Sequence, residues 1–292
     1  MKRLWRHKKL LAAAAALLAA GLLAASSLYH SRYSLECTEY RLGTGQSGEA
    51  VRIVHLSDLH NSTFGEENAE LLRQTAAQAP DLILVTGDLL NADEQNARTA
   101  VELVRGLCDI APVYLSLGNH ELDYRRNFGT DPAALYEAAG GTVLERQYVD
   151  ITVNGQPLRL GGIYGYCLPA RYLETGEADP EECAFLADFQ NTDRCTILLC
   201  HMPVCWLING GLDEWRVDCV FSGHVHGGEV ILPLAGGVYA PDMGWFPWKL
   251  QGVYTSADAS RALVLSRGLG TTESVPRWNN IPEVVVVELY PQ

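Results

Sequence analysis

The amino-acid sequence predicts an α/β protein in which two mixed sheets pack face to face, with helices on both outer sides. Three observations support this prediction. Strand and helix patterns alternate from Val51 onward, the alternation resumes near Glu181, and a β-rich stretch lies between. Apolar runs such as DLILVTGDL are nearly continuous, as in sheets that are covered on both faces. These patterns together predict a four-layer α/β/β/α sandwich.

The first half of the pattern predicts three strands separated by helices. The strands are VRIVHLSDLH, DLILVTGDL and APVYLSLGNHE, each apolar at its start and polar at its end. Helices are expected over residues 66–79, which Pro80 terminates, and over residues 96–108. Asp131 and Pro132 supply an N-cap and a first-turn proline, which predict a short third helix that ends at Gly140.

The second half is richer in strands. Asn154-Gly155 lies between two alternating segments, which is the strongest short signal for a β-hairpin. A helix is expected over residues 181–189, followed by the buried strands CTILLCHMP and VDCVFSGHVHGG. GVYTS and RALVLSRG flank a turn near Asp258, and PEVVVVELY ends the chain. Because we find no internal repeat or linker after residue 50, residues 51–292 are interpreted as one domain.

Residues 1–30 form a separate unit. Five basic residues precede an apolar run over residues 10–29, which is about the length needed to cross a bilayer. The segment is therefore interpreted as a membrane anchor, with a cleaved signal peptide and a buried core helix as alternatives. Basic residues stay on the cytoplasmic side, so the domain is expected to be extracytoplasmic, or secreted after cleavage. Residues 31–50 are expected to be a linker.

The charge of the chain argues against nucleic acid as a partner. The sequence has 22 Lys and Arg against 35 Asp and Glu, a net charge of -13. Affinity for phosphate backbones comes mainly from Lys and Arg, so such an acidic domain is unsuited to them. The eight cysteines show no metal-ligand spacing, and both free thiols and disulfides remain open.

Polar side chains follow five of the predicted strands, at the points where the strands end. In open α/β sheets, ligands bind beyond the carboxyl ends of strands. Asp58 and His60 are two residues apart, so both would project from one face of an extended segment, and His224 and His226 repeat that spacing. Each motif alone is common, but the whole set in this order predicts a site. The candidate residues are Asp58, His60, Asp88, Asn119, His120, His201, His224 and His226.

This set of motifs resembles the calcineurin-like metallophosphoesterase superfamily over about residues 51–290. The shared pattern is D-x-H at 58–60, G-D at 87–88, G-N-H-E at 118–121, a single histidine at 201, and G-H-x-H at 223–226. The resemblance implies the four-layer fold and a binuclear metal centre. It assigns one metal to Asp58, His60 and His226. It assigns the other to Asn119, His201 and His224, and it makes Asp88 the ligand that bridges both.

The resemblance implies a two-metal hydrolase that cleaves a phosphoester or pyrophosphate bond. Mixed nitrogen and oxygen ligands suit two divalent ions of manganese, iron, zinc or cobalt. GHVHGGEVILP and SRGLGTT further resemble the bacterial membrane-anchored branch, which suggests a lipid-linked or nucleotide-sugar substrate such as UDP-2,3-diacylglucosamine. The alternatives are an extracytoplasmic phosphatase or phosphodiesterase on a soluble or cell-wall substrate, and a catalytically silent metal-binding scaffold.

His120 is not a ligand in the family pattern. It would protonate the leaving oxygen or stabilise the charge of the transition state. Many relatives have an acid three residues after the bridging aspartate that orients this histidine, whereas this sequence has Asn91 there. The alternatives are that Asp93 or Glu121 takes its place, or that His120 is a weaker base than its counterparts.

The aromatic cluster Trp245, Phe246, Pro247 and Trp248 follows the histidine pair. Tryptophan is generally well buried, so one interpretation is that the cluster packs a loop onto the sandwich. Tryptophan is also enriched at membrane interfaces, so the other interpretation is an apolar rim that contacts lipid.

Overall fold

A computed structural model of the chain describes residues 2–168, 178–271 and 276–291. Two six-stranded sheets form its centre. The strands of the first sheet lie in the order β1 (Glu36–Gly43), β16 (Glu283–Tyr290), β2 (Val51–Leu56), β3 (Leu82–Val85), β4 (Val113–Leu115) and β5 (Thr142–Val143). Those of the second lie in the order β14 (Gly252–Thr255), β15 (Ala262–Leu265), β9 (Cys219–Ser222), β8 (Cys195–Cys200), β7 (Gln156–Ile163) and β6 (Gln147–Val153).

The remaining elements lie outside the two sheets. The α-helices among the described residues are α1 (Lys2–Tyr33), α2 (Ala69–Ala77), α3 (Arg98–Cys108), α4 (Asn119–Phe128), α5 (Pro132–Ala138), α6 (Pro180–Phe189), α7 (Val204–Leu207) and α8 (Gly211–Glu214). Two small hairpins consist of β10 (Ile231–Leu232) with β11 (Gly236–Gly237), and of β12 (Tyr239–Ala240) with β13 (Gly244–Trp245). Both large sheets contain parallel and antiparallel pairs, as predicted.

Successive residues of the central strands face different hydrophobic cores. Ile53 faces the core between the two sheets, together with Phe221 of the second sheet. Val54 faces a second core, to which α2, α3 and α5 contribute. Leu198 faces a third core, to which α6 and α7 contribute. Because both faces of each sheet are covered, the predicted α/β/β/α order of layers is confirmed.

Local chemistry explains where several elements begin and end. Asn154 and Gly155 have positive φ angles of 51° and 78° in the turn between β6 and β7, which confirms the predicted hairpin. Asp131 Oδ1 accepts the Ala133 N–H at 3.1 Å and caps α5 as predicted. The helix expected from residue 66 begins only at Ala69, because two preceding residues have left-handed backbone angles.

The G-N-H-E motif differs from its prediction as the end of a strand. Strand β4 stops at Leu115, and the motif instead begins helix α4 at Asn119. The Glu121 carboxylate accepts the Gly118 N–H at 2.9 Å, which satisfies one of the free donors at the start of a helix. The motif therefore combines a strand end with a helix cap.

Residues 31–50, expected to be a linker, instead contain β1. This strand runs parallel to β16, from the pair Glu36–Glu283 to the pair Gly43–Tyr290. None of its eight residues is buried, so it lacks the apolar run that marks the other strands. Arg267 Nη2 lies 2.7 Å from Glu36 Oε2, and this ion pair links β1 to the loop that follows β15 of the second sheet. Strand β1 lies at the edge of its sheet, where a strand needs little apolar sequence, and for this reason the composition did not mark it.

Helix α1 carries one segment, His7–Tyr33, that is long and apolar enough to cross a membrane. A signal sequence near the N-terminus has the same features. The most apolar part of this segment is not buried within the protein. Its last turns contact the domain, where the Asn279 N–H donates to Ser27 Oγ and the Asn280 N–H donates to Ser31 Oγ, each at 3.0 Å.

Candidate metal centre

All eight candidate residues lie within about five residues of the ends of β2, β3, β4, β8 and β9, at one end of the two sheets. The expectation that D-x-H and H-x-H are extended is wrong. Asp58 and His60 have φ angles of 55° and 47°, and His224 and His226 have φ angles of 71° and 48°. The direction of these side chains is therefore set by left-handed turns and not by the alternation of a strand. Aspartate and histidine adopt such backbone angles more readily than most residues.

The first cluster contains Asp58, His60 and His226. One ligand atom from each lies within 4.8 Å of the others. His226 Nε2 is 3.7 Å from Asp58 Oδ1, which is too long for a hydrogen bond. The Asp58 carboxylate accepts the backbone N–H of His224 at 3.0 and 3.1 Å, and this bond joins the loops after β2 and β9.

The second cluster surrounds His201. Its Nε2 lies 3.2 Å from each of Asp88 Oδ2, Asn119 Oδ1 and His224 Nδ1. His201 Nδ1 lies 2.6 Å from the Thr86 carbonyl oxygen, which can only accept, so Nδ1 carries the hydrogen and Nε2 of the neutral ring has a free lone pair. With the ring neutral, four lone-pair atoms face one another in a buried site, and either a proton on His201 Nε2 or a metal ion can relieve their repulsion.

Asp88 lies between the two clusters, because its carboxylate groups with His201 and His224 and also with His60 and His120. Its Oδ2 lies 3.2 Å from His201 Nε2 and 3.7 Å from His60 Nε2. Its Oδ1 accepts the backbone N–H of His120 at 2.9 Å. One carboxylate oxygen therefore faces an imidazole from each cluster, while the other oxygen anchors the residue to the start of α4.

The donor set fits divalent metal ions. Asp58 and Asp88 are buried, and within the described part of the chain His60 Nε2 and His226 Nδ1 have no hydrogen-bond partner. Burial lowers the pKa of His60 to about 4 and that of His226 to about 3, so both rings are neutral, as metal ligands must be. Burial opposes ionisation of Asp88, yet the imidazole of His201 holds its pKa well below the usual range.

The ring of His201 responds to the same buried charge. Burial would lower its pKa, but the carboxylates of Asp88 and Asp58 raise the pKa to about 10. Without metal ions, the buried carboxylates thus hold a proton on this ring. Because metal binding and protonation compete for one nitrogen, divalent ions would replace that proton as the counter-charge.

Two residues that orient candidate ligands were not identified from the sequence. Asp242 Oδ2 lies 2.8 Å from His224 Nε2, and Asn91 Oδ1 lies 3.2 Å from His60 Nδ1. Such hydrogen bonds fix the tautomer and ring orientation of metal-binding histidines. Asn91 therefore contacts His60 rather than His120. Asp242 lies in the turn of the small hairpin formed by β12 and β13, and no spacing in the sequence marked it as a partner of His224.

His120 is oriented by the backbone rather than by an acid. The Ala92 N–H donates to His120 Nδ1 at 3.1 Å. Glu121 instead accepts the backbone N–H groups of Asp88 and Leu89, at 2.7 and 2.8 Å. Asp93 is exposed, and among the described residues no hydrogen bond or ion pair joins it to His120. Of the alternatives drawn from the sequence, the two in which Asp93 or Glu121 orients His120 are therefore wrong.

Two glycines allow the clusters to form. A Cβ atom at Gly223 would lie 2.2 Å from Asp58 Oδ2. A Cβ atom at Gly87, whose φ is 86°, would lie 2.2 Å from the backbone nitrogen of Gly118. Any side chain at either position would separate the loops that carry the candidate ligands.

Comparisons with known proteins point to the same chemistry. Residues 51–228 match the family model described as calcineurin-like phosphoesterase. The chain is 26% identical to the uncharacterized metallophosphoesterase YkuE of Bacillus subtilis (strain 168), over 99% of each chain. It is 28% identical to phosphodiesterase YaeI of Escherichia coli (strain K12), over 87% of this chain and 88% of that relative.

Among solved structures, a dimetal phosphatase from Danio rerio overlaps 83% of this chain and 93% of its own, at 11% identity and a TM-score of 0.47. That likeness is too remote to bear on function. The family match itself spans 178 of the 292 residues and contains every candidate ligand. With buried carboxylates and imidazoles that fit divalent ions, this chain is a metal-dependent phosphoesterase that belongs to the calcineurin-like phosphoesterase family.

Proposed function

We propose that the protein hydrolyses a phosphodiester or pyrophosphate bond with two divalent metal ions, one held by each cluster and both by Asp88. The observation that carries this proposal is the position of Asp88 Oδ2, which faces His201 Nε2 at 3.2 Å and His60 Nε2 at 3.7 Å. Such ions supply Lewis-acid polarisation of phosphoryl oxygens and lower the pKa of the attacking water. Asp58, His60 and His226 would hold one ion. Asn119, His201 and His224 would hold the other.

His120 has the role of a neutral hydrogen-bond donor in this proposal. A backbone N–H can only donate, so the contact with Ala92 leaves Nδ1 without a hydrogen and places the hydrogen of the neutral ring on Nε2. From there the ring can donate to a phosphoryl oxygen as charge develops. To protonate a leaving group, the ring would first have to gain a second proton at Nδ1 and lose the Ala92 bond. The contact therefore favours charge stabilisation over acid catalysis.

The substrate proposed is a lipid-linked or nucleotide-sugar phosphoester, a class that includes UDP-2,3-diacylglucosamine. A cavity of about 660 Å³ next to the metal centre is lined by His60 and Asn91 on one side, and by Ser31, Arg32 and Tyr33 of α1 on the other. The end of the apolar helix thus forms a wall of the space beside the candidate ligands. The relative YaeI is named a phosphodiesterase, which supports a diester as the bond cleaved.

Removal of metal ions tests the proposed chemistry. The full-length protein, purified in detergent, is expected to contain about two metal ions per chain and to lose hydrolysis of bis-p-nitrophenyl phosphate after chelation. Elemental analysis and a rate assay, repeated after adding manganese, iron, zinc or cobalt, give the measurement. A metal content near zero with undiminished activity would contradict the two-metal proposal, and full metal content without activity on any phosphoester would indicate a silent scaffold.

The proposed location is the extracytoplasmic face of a membrane, with α1 as the anchor. Five basic residues precede the apolar segment, and basic residues remain cytoplasmic. Residues 1–50 fused to alkaline phosphatase, which folds only after export, are expected to give active enzyme, whereas residues 34–50 alone should not. An inactive phosphatase fusion together with a fluorescent cytoplasmic reporter on the same segment would reverse this topology.

A further inference from the structure

The exposed apolar side chains of the domain are concentrated in one short segment. Outside α1, eight large apolar side chains are exposed among the described residues, and six of them lie between residues 232 and 248. We call these six the aromatic rim: Leu232, Leu234, Tyr239, Trp245, Phe246 and Trp248. Trp245 and Trp248 are 71% and 77% exposed, so the interpretation that the aromatic cluster packs a loop onto the sandwich is wrong.

The backbone of the rim is rigidly placed. Ile231 pairs with Gly237, and Tyr239 pairs with Trp245, in the two small hairpins. The Phe246 N–H donates to the Val238 carbonyl at 2.9 Å, which joins the second hairpin to the first. Leu234 and Phe246 have left-handed φ angles of 69° and 54° in the tight turns. The side chains are thus held outward by a hydrogen-bonded frame.

The same frame is linked to the end of α1. The Ile231 N–H donates to the Trp278 carbonyl at 2.9 Å, and Asn279 Nδ2 donates to the Ile231 carbonyl at 3.3 Å. The backbone N–H of Asn279 donates to Ser27 of α1 at 3.0 Å. One residue, Asn279, therefore contacts both the last turns of the apolar helix and the base of the rim. The rim lies where the chain passes from the helix into the domain.

We propose that the aromatic rim inserts into the surface of the lipid bilayer beside α1, so that the metal centre opens at the level of the lipid headgroups. This inference rests on the membrane attachment proposed above. Tryptophan and tyrosine are the side chains enriched at that level of a bilayer. A cavity of about 320 Å³ within the rim is lined by Glu229, Val230, Val238, Tyr239 and Trp245, and its mainly apolar wall offers space to an acyl chain.

The acidic charge of the domain favours insertion of apolar side chains into the bilayer over electrostatic attraction to lipid headgroups. After the first nine residues the chain has 17 basic against 35 acidic residues, and an anionic surface would repel it. The bilayer contact therefore uses apolar side chains and suits zwitterionic lipid. The cavity between α1 and His60 would then take the phosphate of a substrate whose apolar part stays in the membrane.

Fluorescence quenching in liposomes tests the position of the rim. The full-length Trp5→Phe variant, reconstituted in phosphatidylcholine liposomes, retains five tryptophans. Replacing the lipid with phosphatidylcholine brominated near the headgroup end of its acyl chains is expected to quench roughly a third of the emission, because two of five tryptophans would lie at that depth. Adding Trp245→Phe and Trp248→Phe should remove this loss.

A tryptophan at the opposite end of the sheets provides the matched control. Asn191 is exposed and precedes β8, whose other end leads to His201. Adding Asn191→Trp to the triple variant should restore emission that bromine does not quench.

If the Trp5→Phe protein floats with liposomes but Trp245→Phe and Trp248→Phe leave quenching unchanged, the rim is not inserted. Unquenched rim tryptophans together with a dimer mass in detergent would assign the rim to a second copy of the chain. Failure to float would instead contradict the attachment itself.

Discussion

Asp88→Asn is expected to remove both metal ions and to abolish phosphoesterase activity. The substitution keeps the size of the side chain but removes the charge that Oδ2 presents to His201 and His60, at 3.2 and 3.7 Å. An amide also places an N–H₂ group where a lone pair is needed. We expect less than one bound ion per chain by elemental analysis, and a rate on bis-p-nitrophenyl phosphate that is indistinguishable from background.

Asp242→Asn is the matched control, because it makes the same chemical change at a carboxylate that contacts the far nitrogen of His224, 2.8 Å away. Loss of such a partner typically weakens metal affinity by about 10–100-fold, so saturating metal should restore much of the activity. The neutral amide oxygen can still accept from Nε2. Full metal content in Asp88→Asn, or equal losses in both variants that excess metal does not reverse, would show that Asp88 does not bridge.

His120→Ala is expected to retain both metal ions and to lose activity by about 10²–10³-fold, the usual effect of removing one donor that stabilises transition-state charge. If the ring donates from Nε2 to a phosphoryl oxygen, the loss should be similar for an alkyl phosphodiester and for bis-p-nitrophenyl phosphate. An alkoxide needs a proton when it leaves and p-nitrophenolate does not. Rates on both substrates, with metal content measured in parallel, therefore separate the two roles.

His120→Gln sharpens this test. The glutamine amide can donate a hydrogen bond but cannot act as an acid at neutral pH. We expect it to recover part of the activity that His120→Ala loses. A much larger loss on the alkyl ester, with no recovery in His120→Gln, would show that His120 protonates the leaving group. Loss of metal ions in His120→Ala would make it a ligand, which its distance from Asp88 and His60 permits.

Much of the fold could be predicted from local patterns. Strands such as β3 and β8 are buried on both faces, so their sequences are continuous apolar runs. Asn154-Gly155 and Asp131-Pro132 have backbone preferences that act within a few residues. Strand β1 escaped prediction because it lies at a sheet edge, where its pairing with β16 is set by residues more than 240 positions away.

The candidate site was likewise predicted in part from local patterns. The order of the polar motifs after apolar strands was readable in the sequence, because parallel strands bring their carboxyl ends to one edge wherever the intervening helices lie. This reasoning placed the eight residues at one edge of the sheets, and the structure brings them together there. Five of them have left-handed backbone angles instead of the extended conformation that was expected: Asp58, His60, Asp88, His224 and His226.

Only the tertiary structure decided which atom each side chain uses. The contacts of Ala92 with His120, Asn91 with His60, and Asp242 with His224 join residues 28, 31 and 18 positions apart. A hydrogen bond between distant segments depends on how their loops pack, and the periodicity of the sequence does not predict that packing. The exposure of Trp245 and Trp248 was also decided only by the tertiary structure. An aromatic run in the sequence is compatible both with burial and with a membrane-facing rim, and the packing of the hairpins that support it decides between the two.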